Sequence, residues 1–436
     1  MLFSSFVIAT ILPLLAKGQV VGKAFGFATG TTGGGNAVPA APSDIAQLQS
    51  WLADSTPRVI LISKTFDFTT SQGSSTETGC IPSSDTCGSA GQLAINRANY
   101  CASFPATSVS FYNAAMTPLV VASNKSIVGV GSAGIIKGKG LRIQGATNVI
   151  VQNIWITNLN PQYIWGGDAI TLQDCDKVWI DHCKFSLIGR QMIVSGFDAA
   201  GHVTISNNEF DGTTSWSASC NQHHYWTILL LGAADWYTFS GNYVHTVSGR
   251  APKLGYTGAK IYMHAVNNYF YNVAGHAFDV EVGVELLVEG NAFNSVTTPF
   301  LSSSSSSGAQ IFDVPSSSYT STCSSYIGRT CQVNSIASSG TFTSFTNTGA
   351  LSALSGLKSY LIAANPASGV AASVVANAGI GKLSQVATTT TKATTTAATT
   401  TKATTTTTKA TTTGSSSGAC ATLYGQCGGI GFTGPT

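Results

Sequence analysis

Charge is what this sequence has least of. Only 9% of its residues are Asp, Glu, Lys or Arg, against roughly a quarter in ordinary soluble domains. With a formal net charge of +3, it has no broad basic surface for a nucleic acid or a densely anionic polymer. A neutral polysaccharide, or an acidic one masked as esters, suits it better. Beyond the N-terminus no apolar run approaches the roughly 20 residues of a membrane span. No C-x-x-C pair and no His-rich cluster occurs, which disfavours zinc. His223 and His224 are adjacent, but no Ser or Cys elbow accompanies them. Triad hydrolysis is therefore disfavoured, and both histidines are assigned polar structural roles. Hydrolysis of a glycosidic bond needs paired carboxylates, and only Asp168 is persuasively placed.

Hydrophobic residues make up 43%, enough for a sizeable core. Gly, Ser, Thr and Asn replace the missing charges, as in a secreted β protein with many turns. Residues 1–18, MLFSSFVIATILPLLAKG, read as a cleaved signal peptide, too short for a membrane anchor. The mature chain is then expected outside the cell, where ten cysteines suit disulfides. Cys175 and Cys183 fall in strand-like runs and read as buried free thiols. Asn124-Lys125-Ser126 is an N-glycosylation sequon, expected at the surface.

The segment 19–385 reads as one domain and 386–418 as a Thr-rich, O-glycosylated linker that cannot bury a core. Residues 419–436 hold CATLYGQCGGIGFTGPT. This resembles the first half of a fungal-type cellulose-binding module, with Tyr424 and Phe432 as its aromatics. An incomplete copy is expected.

Within 19–385, VIVQNIWITNL (149–159), KVWIDHCKF (177–185), HVTISNNEF (202–210), YTFSGNYV (237–244), IYMHAVNNYF (261–270) and LLVEGNAF (286–293) share one pattern. Apolar residues alternate with period two and a polar corner follows. Recurrence every 25–35 residues predicts a solenoid, an all-β parallel β-helix. Asn153, Asn207, Asn242, Asn267 and Asn291 are expected to bond between coils. One helix is predicted, DIAQLQSWLA, with Ser43 as N-cap and Ile45, Leu48, Trp51 and Leu52 on one face. It would cap the open end of the β-helix.

WGGDAI (165–170), VWIDH (178–182), IGRQ (188–191), HHYW (223–226), SGRAPK (248–253) and GHAF (275–278) resemble the pectin and pectate lyase family. The resemblance spans nearly all of residues 20–385. It implies a right-handed parallel β-helix, and disulfides Cys80–Cys101, Cys87–Cys220 and Cys323–Cys331. It also implies Arg250 as the proton-abstracting residue, surrounded by Asp168, Arg190 and Lys253. Trp165, Tyr225 and Trp226 would line the cleft. Tryptophans that the family carries in the loop 78–101 are missing here; Tyr100 is the aromatic of that loop.

β-Elimination at a uronic acid removes the C5 proton and expels the C4 oxygen, placing negative charge on the C6 carbonyl. If C6 is a free carboxylate, a cation such as calcium must neutralise it. If C6 is a methyl ester, fixed donors such as Arg190 and Lys253 suffice. Arg190 stands where calcium-dependent members place carboxylates. The expected substrate is therefore methyl-esterified pectin, cut without a cofactor or metal by a secreted monomer. Cellulose would be a second partner through a complete C-terminal module. A calcium-dependent pectate lyase and a non-catalytic wall-binding β-helix are the alternatives.

Overall fold

The computed structural model describes residues 19–383. The chain separates into two units at residues 386/387. The expected signal peptide, the linker, Tyr424 and Phe432 lie outside the described residues.

Parallel strands stack coil on coil. One sheet has nine strands, from Arg58–Ile62 through Lys125–Gly129, Thr147–Gln152 and Asp176–Asp181 to Gln310–Phe312. A second face runs from Thr65–Asp67 through Lys184–Ile188 to Tyr243–His245, and a third from Leu119–Val121 through Ile170–Gln173 to Lys253–Leu254. The strand Tyr269–Val280 turns the corner and joins these two faces into one fifteen-stranded path. The result is a parallel β-helix.

Period-two alternation drives the stacking. In the first sheet Ile60, Ile127, Val151, Ile180, Ile205, Phe239, Ala265 and Val288 pair in register, and all are fully buried. A one-residue slip would turn each such side chain outward. On the second face like stacks on like: the ring centroids of Phe185 and Phe210 are 5.2 Å apart, and those of Phe270 and Phe293 4.8 Å.

The five expected asparagines all bond between coils, and some of them belong to a ladder. Asn208, Asn242, Asn268, Asn291 and Asn334 form it: each side-chain oxygen accepts the preceding member's backbone N–H at 2.8–3.0 Å. Asn242 and Asn291 are ladder members. Asn153, Asn207 and Asn267 hold the left-handed corner just before the ladder position, with φ of 52–60°, and their amides also reach a neighbouring coil, donating to Gly129, Asp181 and Gly290. Asn tolerates that conformation, so one residue type serves two adjacent places for different reasons. In the coil of Lys184–Ile188 the ladder position is Cys183, whose N–H donates to Asn208. Cys175 and Cys183 are buried and unpaired, and burial pushes both thiols up to about 12.

The helix spans Ile45–Ala53 and buries Leu48 and Leu52 against the first coils. Its N-cap is Asp44, which accepts from the Gln47 N–H, while Ser43 donates its own N–H back to Gln47. The carboxylate wins because it also favours the positive end of the helix dipole. The Asn124 side chain, expected at the surface, is half-buried and accepts from Asn148; Ser126 of the sequon is fully buried.

Asp313, near the last coil, is fully buried and neither carboxyl oxygen meets a protein partner. Burial pushes it up to about 8. A folded pKa above the unfolded one means the associated stability is complete below pH ~4 and is lost as pH rises to about 8. The loss is on the order of 5 kcal/mol over that window. Asp313→Asn is expected to raise the denaturation midpoint at pH 8 and leave it nearly unchanged at pH 4. Equal effects at both pH values would show that Asp313 is not the titrating group.

Candidate active site

The third face carries the site along its outward side. A four-stranded sheet, built from Ser74–Cys80, Leu93–Ala94, Ala106–Tyr112 and Tyr163–Ile164, stands beside it. Two disulfides staple this sheet's loops, Cys80–Cys101 internally and Cys87–Cys220 to the loop after Glu209–Asp211. The third, Cys323–Cys331, lies near the last coils. Gln92, which the sequence reading missed, links the loop to the cleft. Its amide donates to the Gly189 and Pro161 carbonyls and accepts from the Trp226 indole at 2.9 Å.

Asp168 and Arg190 form one unit. The guanidinium donates twice to the carboxylate, at 2.9 and 2.6 Å, and the Gln191 N–H donates to it at 2.8 Å. The pair lies mostly buried, with the guanidinium 3.9 Å above the Trp165 ring. The preceding Gly189 is required: a Cβ there would meet Gly166 and two carbonyl oxygens within 2.8 Å. His224 is buried, and its Nε2 donates to the carbonyls of Arg190 and Trp226. Burial holds its pKa below the usual histidine value, against the two backbone carbonyls that favour its charge. His223 bonds the Asn221 carbonyl. His224 is thus tied to the backbone, whereas the Nε2 of His223 is buried without a partner.

Arg250 is placed differently. Its guanidinium sits 4.6 Å from the Trp226 ring centroid and 5.9 Å from that of Tyr225. Those two rings meet edge to face at 4.9 Å. No carboxylate pairs with Arg250 among the described residues, and its Nε is buried without a partner. Burial, aided by the charge of Arg190, pulls its pKa below the usual arginine value; Tyr225 and Asp279 oppose this. The carboxylate acting on Arg250 is thus Asp279 rather than Asp168, which Arg190 holds. The backbone N–H of Arg250 donates to His276 Nε2 at 3.2 Å, so that nitrogen carries no proton. Gly249 lets Tyr225 approach, since a Cβ would lie 2.5 Å from the ring.

Lys253, expected as a fixed donor, is bound to Asp279 at 3.0 Å and to Glu281. Burial opposes its charge, the two carboxylates outweigh that, and its pKa is raised. Strand pairing makes Asp279 its neighbour in the next coil. Carboxylates 26 and 28 residues away are invisible to local sequence reading.

On the other side of Arg190 is a cleft of about 150 Å³, lined by Arg97, Met116, Arg142, Trp165, Asp168 and Thr171, among others. A cluster of Glu209, Asp211 and His245 lies on the second face, and Lys184 already bridges its two carboxylates at 2.8 and 3.0 Å.

The parallel β-helix thus carries arginines packed on aromatic rings along one face. The chain belongs to the pectate lyase family, which matches residues 2–383. The fungal cellulose binding domain matches residues 423–436. Among curated relatives, a probable pectin lyase E of Aspergillus fumigatus is 52% identical over 384 residues, covering 86% of this chain and 99% of that protein. A probable pectin lyase F-1 of Aspergillus terreus is 54% identical over 384 residues, covering 86% and 98%. Solved structures share the fold at low identity. A pectate lyase from Bacillus sp. N165, in complex with trigalacturonate, has a TM-score of 0.52 at 21% identity and covers 82% of this chain and 98% of its own. A Bacillus subtilis pectate lyase mutant has 0.52 at 17%, covering 85% and 100%.

Proposed function

We propose that the chain is a secreted pectin lyase. It cleaves α-1,4 links of methyl-esterified polygalacturonan by calcium-independent β-elimination and releases 4,5-unsaturated oligosaccharides. The observation that carries this is the twofold bond between Arg190 and Asp168. The carboxylate a calcium ion would need is already neutralised, and a fixed cation faces the cleft in its place. The names of the Aspergillus relatives agree with this reading.

Arg250 takes the C5 proton. Its lowered pKa makes the neutral, basic form more accessible. The C5–H electrons form the C4=C5 double bond, the C4–O bond breaks with its electron pair on the departing oxygen, that oxygen takes a proton from solvent water, and Arg250 returns the C5 proton to solvent. Arg190 donates to the C6 carbonyl oxygen as charge collects there, held in place by Asp168. Lys253 contributes less than a free ammonium would, because Asp279 and Glu281 share its charge. Trp165, Tyr225 and Trp226 offer faces to sugar C–H groups and ester methyls. The chain acts as a monomer. The C-terminal segment contributes binding to cellulose when its module is complete.

No helix among the described residues is long and apolar enough to cross a membrane. Secretion is supported by the three disulfides, which persist in oxidising compartments.

The test is product chemistry. Methyl-esterified pectin should yield products absorbing in the ultraviolet through the new double bond, at a rate far above that on polygalacturonate. Saturated products with new reducing ends would mean hydrolysis and would reject the lyase reading.

A further inference from the structure

The outward side of the third face carries one continuous row. Strand pairing sets Val120, Arg142, Thr171, Val194, Leu229, Lys253 and Asp279 side by side, coil after coil. Arg142 and Lys253 are four coils apart in it, about 19 Å at the ~4.8 Å spacing of strands. Arg142 shares its cleft with Arg190, which meets the reacting unit, so a side chain at Arg142 meets a neighbouring unit of the polymer.

The cations of the cleft are not alike. Arg97 is paired with Glu77 at 2.5 Å, Arg190 with Asp168, and Lys253 with Asp279 and Glu281. Arg142 lines the same cleft as Arg97 and Arg190, yet makes no ion pair among the described residues. Its Nε is buried and meets no partner. A guanidinium held half-buried with a desolvated donor is stabilised when an anion docks on it. Its planar fork matches a carboxylate, to which it donates two parallel bonds. In a methyl-esterified galacturonan the anions are the carboxylates of unesterified units.

We propose that Arg142 forms a binding subsite for a free galacturonate carboxylate on a unit next to the reacting one. The enzyme then reads a pattern: an ester at the reacting unit and an acid at the neighbouring one. This deepens the pectin-lyase reading and rests on it. With so low a net charge overall, selection for acid comes from this local cation and not from a general field.

The experiment compares the full chain with its Arg142→Gln and Arg142→Lys variants on fully methyl-esterified and on randomly, partly de-esterified galacturonan. The wild type is expected to show the lower KM on the partly de-esterified polymer. Arg142→Gln should raise that KM about tenfold, the usual worth of a hydrogen-bonded charge, and raise KM on the full ester far less. Arg142→Lys should keep part of the preference. Thermal melts establish that the variants fold. An equal rise on both polymers would show that Arg142 meets an ester carbonyl or supports the fold, and would overturn the proposal. So would unchanged KM on both. If the wild type forms no unsaturated product from either polymer, it is the lyase reading that fails.

Discussion

Arg250→Ala is expected to lower kcat on methyl-esterified galacturonan by about 10²–10⁴, the usual worth of a positioned general base. The fold should survive, because the guanidinium packs on Trp226 and Tyr225 at the cleft and not in the core of stacked coils. Arg250→Lys should be nearly as damaging. An ammonium cannot reproduce the planar contact with the indole or the guanidinium's reach. The wild-type kcat/KM should rise with pH, because the reacting form is the neutral one. The neighbouring charge of Arg190 helps lower the Arg250 pKa, so Arg190→Gln should move that rise to higher pH. If Arg250 served only to hold substrate, its loss would raise KM and leave kcat intact. A folded Arg250→Ala protein with near-normal kcat would contradict the assignment.

The second large effect belongs to the Asp168–Arg190 pair. Arg190→Gln should cut kcat by about 10²–10³, the range seen when one donor to a developing oxyanion is removed. Asp168→Asn should do nearly the same, because Arg190 then loses the carboxylate that fixes its direction. The double variant should be no worse than the poorer single one, since coupled residues are not additive. Steady-state kinetics on the three variants decide this. Losses that multiply would show that the two act separately, and that Asp168 has a role of its own.

The repeat was legible because burial enforces alternation: Ile127, Val151, Ile180 and Ile205 each face inward in successive coils. Its fine register was less so. Asn occupies both the left-handed corner and the inward ladder, and pattern alone does not separate Asn207 from Asn208. The helix was legible to within its cap, where Asp44 replaced Ser43 because both residue types cap and they are adjacent. Arg250, Arg190, Asp168 and the aromatics were reached through motifs. The groups that modulate them were not. Asp279 acts on Lys253, His276 on Arg250 and Gln92 on Trp226, across 26, 26 and 134 residues. Coil stacking creates those contacts, and no local spacing encodes them. Arg142 is not legible for a similar reason: what marks it is a buried Nε without a partner, a feature that Arg250 shares among the described arginines.

The most direct measurement is the rate of unsaturated-product formation from methyl-esterified pectin after exhaustive chelation, with and without added calcium. If Arg190 and Arg250 supply the chemistry, the rate is unchanged by chelator and not restored or raised by calcium. Loss of activity in chelator that calcium alone restores would contradict the account.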